Sequence, residues 1–73
     1  MQKAIAKELQ SIRLRRNLTV NEVANHFNLN VETIRRYERE CIGLSVERLE
    51  ELLNYYSVSK DIFFKSLCAY MHE

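Results

Sequence analysis

The stretch "NVETIRRYERE", residues 30–40, gathers Glu32, Arg35, Arg36 and Arg39 within eight positions. A guanidinium presents five N–H donors in a planar fork, which fits a carboxylate, a phosphate, or the N7 and O6 acceptors of guanine. A carboxylate can only accept, for instance from the amino group of cytosine. If the run is a helix with Ile34 toward the core, steps of about 100° per residue place all four on the opposite side and Val31 at their flank. Only Ile34 and Tyr37 are left as an apolar stripe. In isolation such a face of mixed charge is simply solvated, so its meaning depends on what holds it.

Other chemistries find little material. His26 and His72 are the only histidines, no Ser-His-Asp or Cys-His arrangement is evident, and no glycine-rich loop cradles a phosphate. Cys41 and Cys68 are too few and too far apart for a disulfide framework or a metal knuckle. The expectation is a chain that is not an enzyme, takes no cofactor or metal, and keeps two free thiols in a reducing, cytoplasmic setting. His26, late in a helix, reads as a surface or half-buried polar residue.

The elements that must position the arginines follow from composition and caps. With 73 residues the chain is expected to be one domain, 1–73, with a small core. At 47% hydrophobic and 29% charged it is neither disordered nor membranous, and its longest aliphatic-aromatic run is the triplet Ile62-Phe63-Phe64. One glycine and no proline leave little turn chemistry for hairpins, so the chain reads as all-α. Net charge is only +1, but residues 1–39 carry eight Lys/Arg against four Glu, whereas residues 40–73 carry three against six Asp/Glu. One half of the domain is therefore expected to present a positive surface.

A helix start combines a Ser, Thr, Asn or Asp cap with an apolar residue before it and another four positions after it. That pattern occurs at Thr19 (Leu18, Val23), Asn30 (Leu29, Ile34), Ser45 (Leu44, Leu49) and Ser59 (Val58, Phe63), and Glu22 completes a capping box with Thr19. With a helix before the first cap, this predicts five short helices at about 2–15, 20–27, 31–39, 46–56 and 60–71. Ile5, Leu9 and Ile12, then Val23, Ala24 and Phe27, then Leu49, Leu52 and Leu53 supply the inward faces. Asn17 and Asn28 are the expected left-handed turn residues, since asparagine tolerates positive φ. The fifth helix is apolar around most of its circumference, more than a small monomer can bury. Phe64, Leu67, Tyr70 and Met71 are read as a dimer interface, with Phe64, Leu67 and Met71 outward.

Two short helices joined by a tight turn, the second with little apolar surface, form a helix-turn-helix pattern at about 19–39. "LTVNEVANHFNLNVETIRRYERE" followed by "LSVERLEELLNYYSVSKDIF" resembles the Cro/CI-type, or XRE-type, helix-turn-helix DNA-binding domain of bacterial and phage transcriptional regulators, over roughly residues 3–66. The resemblance implies a compact lambda-repressor-like bundle of five helices, with the third helix in the major groove of double-stranded DNA. It implies a regulator, a repressor above all, that binds a pseudo-palindromic operator as a homodimer.

Carried onto this chain, the resemblance gives Arg35 or Arg36 a guanine edge or a phosphate, Glu32 a cytosine amino group and Val31 a thymine methyl. Asn21, Asn30, Thr33 and Arg39 join them as backbone or groove contacts. Arg13 and Glu38 occupy the places of an ion pair that ties the first helix to the third. Two departures stand out. Val20 replaces the glutamine usual at the start of the second helix, and Glu40 replaces a glycine in a loop without a cation after Arg39. Fewer phosphate contacts imply weaker non-specific binding and a shallower salt dependence.

Two other readings remain open. The same fold can serve as a protein-interaction module, using the fifth helix to bind a toxin, a polymerase subunit or another repressor. The proline-free loop into Ser-Val-Glu-Arg-Leu is also similar to the N-terminal domains of peptide-responsive Rgg-type regulators, which would make the chain part of something larger.

Overall fold

In the computed structural model, which describes residues 2–71, the helices begin where the caps place them. α1 spans Gln2–Arg15, α2 Val20–Phe27, α3 Val31–Glu40, α4 Val46–Tyr55 and α5 Lys60–Met71, and there is no strand among the described residues. Thr19 Oγ1 accepts the Glu22 N–H at 3.1 Å while Glu22 Oε1 accepts the Thr19 N–H at 3.3 Å. Asn30 Oδ1 accepts from the Glu32 N–H at 2.9 Å, Ser45 Oγ from Arg48 at 3.1 Å and Ser59 Oγ from Ile62 at 3.2 Å. Each bond satisfies a first-turn donor that the helix itself cannot, a contribution of about 1 kcal/mol.

The turns depend on left-handed residues rather than on glycine. Asn17 and Asn28 both adopt φ 58°. Behind them the N–H of Leu18 reaches Arg13 O at 3.1 Å and that of Leu29 reaches Ala24 O at 2.9 Å, the six-residue closure of a Schellman motif. Ser57 (φ 60°) closes α4 in the same way, with Val58 N–H on Leu53 O at 2.9 Å, and Cys41 (φ 58°) ends α3. Neither of these two was expected, because serine and cysteine carry no left-handed preference. A Cβ in that region costs roughly 1–2 kcal/mol. Ser57→Gly is therefore expected to stabilise the domain by about 0.5–1 kcal/mol after glycine's extra unfolded-chain entropy. A thermal melt should show a midpoint several degrees higher, since about 4–8 °C accompanies each kcal/mol at this size.

The core joins Ala6, Leu9 and Ile12 of α1 with Val23 and Ala24 of α2, Ile34 and Tyr37 of α3, Leu52 and Leu53 of α4, Tyr56, and Phe63 and Leu67 of α5. α1 lies against both α3 and α5, and α2 lies against α3. Among the described residues, no helix is long and apolar enough to cross a membrane.

The outward face of α5 differs from the expectation at Leu67, which is 1% exposed. Phe63 and Leu67 are four residues apart, share one side of the helix and both enter the core. Phe64 and Ile62 point outward instead, 50% and 61% exposed. Leu67 is thus a core residue and is withdrawn from the dimer interface. The expected places of the Tyr70 and Met71 side chains fall outside the described residues.

Candidate nucleic-acid interface

Ile34 and Tyr37 seat α3 in the core, and the opposite side carries Arg35, Arg36 and Arg39, all exposed. What fixes the orientation of this helix is Arg13. Its Nε donates to Glu38 Oε2 at 2.7 Å and its Nη2 to Glu38 Oε1 at 3.0 Å, a two-pronged pair with both side chains under 10% exposed. Its Nη1 donates to Leu18 O at 2.8 Å. One guanidinium therefore ties the end of α1, the turn that opens the helix-turn-helix and the last turn of α3. The bonds to Glu38 raise the Arg13 pKa above its ordinary value. Tyr56 lies beside this pair, and burial first, then the Glu38 carboxylate, push its phenol well above the usual tyrosine range.

The three outer arginines are not equivalent. Arg39 Nη2 meets Glu32 Oε1 at 3.3 Å, and Arg36 Nε lies 4.0 Å from the same oxygen. Arg35 has no carboxylate partner among the described residues. It lines an open cleft with Gln10, Arg13, Val20, Glu38 and Arg39, bounded by α1, the first residue of α2 and α3. At that edge the backbone N–H groups of Val20 and Asn21 begin α2 and have no hydrogen-bond partner among the described residues. A cation and a helix N-terminus thus border the same polar cleft, a combination suited to an anionic oxygen.

The remaining expected contacts are placed as follows. Asn21 is exposed in the first turn of α2, and Asn30 is exposed while its side-chain oxygen caps α3. Val31 and Thr33 are half-buried at the start of α3, with Val31 packed on the core margin. Arg15 is turned back to Glu8 at 3.3 Å, and Arg16 Nη2 reaches Ser57 O at 3.5 Å. His26 stacks on Tyr55 with ring centroids 4.0 Å apart and meets Phe27 edge-on, so it packs an aromatic cluster that Arg48 covers. Among the described residues there is no group of three or more His, Cys, Asp or Glu able to hold a metal.

Two contributors escaped the sequence reading. Gln10 lines the cleft, and its signal is its place three residues before Arg13 on α1. Tyr56 backs the ion pair from beyond the end of α4, and its signal is the spacing of four from Leu52.

The sequence profile of the helix-turn-helix family matches residues 9–63, which is 55 of the 73 residues. Comparison with curated proteins and with solved structures gives no match. The matched span runs from the core face of α1 to the first turn of α5 and includes both members of the Arg13–Glu38 pair and every outer residue of α3. The chain belongs to the helix-turn-helix family, as a Cro/CI-type, XRE-type domain of DNA-binding transcriptional regulators.

Proposed function

We propose that this chain is a homodimeric, sequence-specific regulator of the cytoplasm, a repressor that lays α3 in the major groove of a pseudo-palindromic operator and excludes polymerase by occupying a promoter. The observation that carries this reading is the outer face of exposed Arg35, Arg36 and Arg39 with half-buried Glu32 among them, on a helix whose orientation Arg13 and Glu38 fix. A helix with its apolar stripe seated and its donors outward has the form required to reach base edges. Arg36 and Glu32 are the base-reading pair, with Val31 at their flank. Arg35 and the N–H groups of Val20 and Asn21 hold a phosphate, with Asn30 and Thr33 at neighbouring backbone positions and Arg39 directed into the groove beside Glu32. Half-sites about one helical turn apart, roughly 34 Å, suit a two-fold dimer of such domains.

Dimerisation uses the outward side of α5. Phe64 is exposed, and Val46, 69% exposed, continues the apolar surface across a groove lined by Leu49, Leu53 and Phe64. Tyr70 and Met71 are proposed as further members of the interface. Phe64→Asp is expected to leave the fold intact and shift the chain to monomer in analytical ultracentrifugation, because an exposed side chain is replaced. An unchanged sedimentation coefficient would place the interface elsewhere.

Selection from a random double-stranded DNA pool at about physiological salt tests the whole reading. Recovery of a two-fold symmetric motif is the expected result. A pool that stays random would count against sequence-specific regulation. It would instead favour the apolar α5 surface as a site for a protein partner, such as a toxin or another regulator.

A further inference from the structure

One carboxylate sits among three arginines on a face proposed to meet a polyanion; its place in the first turn of α3 suits the helix dipole, but its reach to two arginines goes beyond that role. The cap of α3 uses the backbone N–H of Glu32 and leaves its side chain unemployed. That side chain instead takes Arg39 Nη2 at 3.3 Å and stands 4.0 Å from Arg36 Nε, and both approaches fall on Oε1. Oε2 is left for another donor. On Arg36 the side turned to Glu32 is Nε, at 4.0 Å an ion-pair approach and not a hydrogen bond, which leaves the two terminal nitrogens for a parallel pair of bonds elsewhere.

From this geometry we infer that Glu32 is a specificity residue that works by restraint: it withholds Arg36 and Arg39 from phosphates and releases the fork of Arg36 only toward guanine. The inference rests on the proposed docking of α3 in the major groove. A guanidinium that turns to a phosphate must leave Glu32, which then faces the DNA with an uncompensated charge. A guanidinium that donates its outer fork to guanine N7 and O6 keeps its Nε on Glu32. Oε2 then accepts from the amino group of a neighbouring cytosine. Restraint and readout are thus two uses of the same side chain. The cost falls on every site that lacks a guanine edge next to a cytosine amino group, and so on the bulk of non-specific DNA.

The arrangement also gives the low net charge a role. Arg35, without a carboxylate partner among the described residues, is left to hold the backbone, while two of the three cations on the recognition helix are partly neutralised until a suitable base pair appears. Non-specific affinity, which depends on the number of phosphates neutralised, is suppressed by this pairing.

Binding of a random-sequence duplex by the wild type, Glu32→Gln and Glu40→Gln, titrated by fluorescence anisotropy between about 50 and 200 mM salt, tests the inference. Glu40→Gln makes the same change of charge at an exposed residue on the same helix that has no ion pair among the described residues. Glu32→Gln is expected to bind the random duplex about tenfold more tightly than wild type and to steepen the slope of log K against log salt by about 0.9 for each arginine released, up to two further phosphates. Glu40→Gln should change affinity by less than about twofold and leave the slope alone. Equal effects of the two variants would reduce Glu32 to one negative charge among others and overturn the inference, as would an unchanged slope for Glu32→Gln. Absence of duplex binding by all three proteins at the lowest salt would overturn the DNA-binding reading itself, and the inference with it.

Discussion

Glu38→Ala is expected to destabilise the domain by about 3 kcal/mol, because removing one member of a buried ion pair strands the other charge. Arg13 would lose both bonds to Glu38 and keep only the 2.8 Å bond to Leu18 O. Its side chain is 9% exposed, so water cannot fully replace the carboxylate. For a chain of this size the midpoint of thermal unfolding should fall by roughly 10–20 °C, measurable by circular dichroism. Arg13→Ala should cost a comparable amount, through the stranded Glu38. Replacing both by apolar residues of similar volume should restore most of the loss, because neither charge is then buried alone. A double-mutant cycle in which the two single losses simply add would mean the pair does not act as a unit.

Arg36→Ala is expected to give the largest loss in DNA binding while leaving stability nearly unchanged. The side chain is 58% exposed, and its nearest carboxylate, Glu32, lies 4.0 Å away. An exposed pair of that kind contributes only a few tenths of a kcal/mol to a helix. A bidentate contact to guanine contributes about 1–3 kcal/mol, and a two-fold operator uses it twice, so operator affinity should fall by roughly a hundredfold or more. Affinity for random DNA should fall much less, since a base contact is lost rather than a phosphate contact. Equal losses on both duplexes, read by anisotropy at one salt concentration, would move Arg36 from base reading to backbone contact. Arg35→Ala should behave in the opposite way, weakening both complexes alike and reducing the salt slope by about one.

The two substitutions also mark where the sequence was legible. The Arg13–Glu38 geometry lies across 25 residues of chain, and composition alone does not pair these two among the many charges. They could be named only because the motif carries them. Local features needed no such help. Thr19, Asn30, Ser45 and Ser59 announce helix starts because a cap and its donor are two or three residues apart, and Asn17 and Asn28 announce turns because their side chains tolerate positive φ.

Harder cases arise where the signal is not local. Cys41 and Ser57 are left-handed because the chain must turn there, and nothing in their own chemistry says so. The outer and inner sides of α5 could not be separated by a hydrophobic pattern, since apolar residues surround it; only docking on α1 shows that Phe63 and Leu67 go in while Ile62 and Phe64 stay out. On α3 the wheel placed all three arginines on one outer face, as they are, but could not divide them into two tied to Glu32 and one beside the start of α2. That division depends on side-chain reach across four and seven residues.

α1 touches both α3 and α5. In the proposed dimer it contacts both the element that reads bases and the element that joins two copies. It therefore acts as a spacer bar of fixed length, and the distance between the two reading helices depends on how Ala6, Leu9 and Ile12 are packed. A larger side chain at Ala6 would tilt the bar without touching any base-reading residue. Such a variant should keep its preferred bases and change the number of base pairs between them, so that spacing and sequence preference can evolve as separate properties of the same 73 residues.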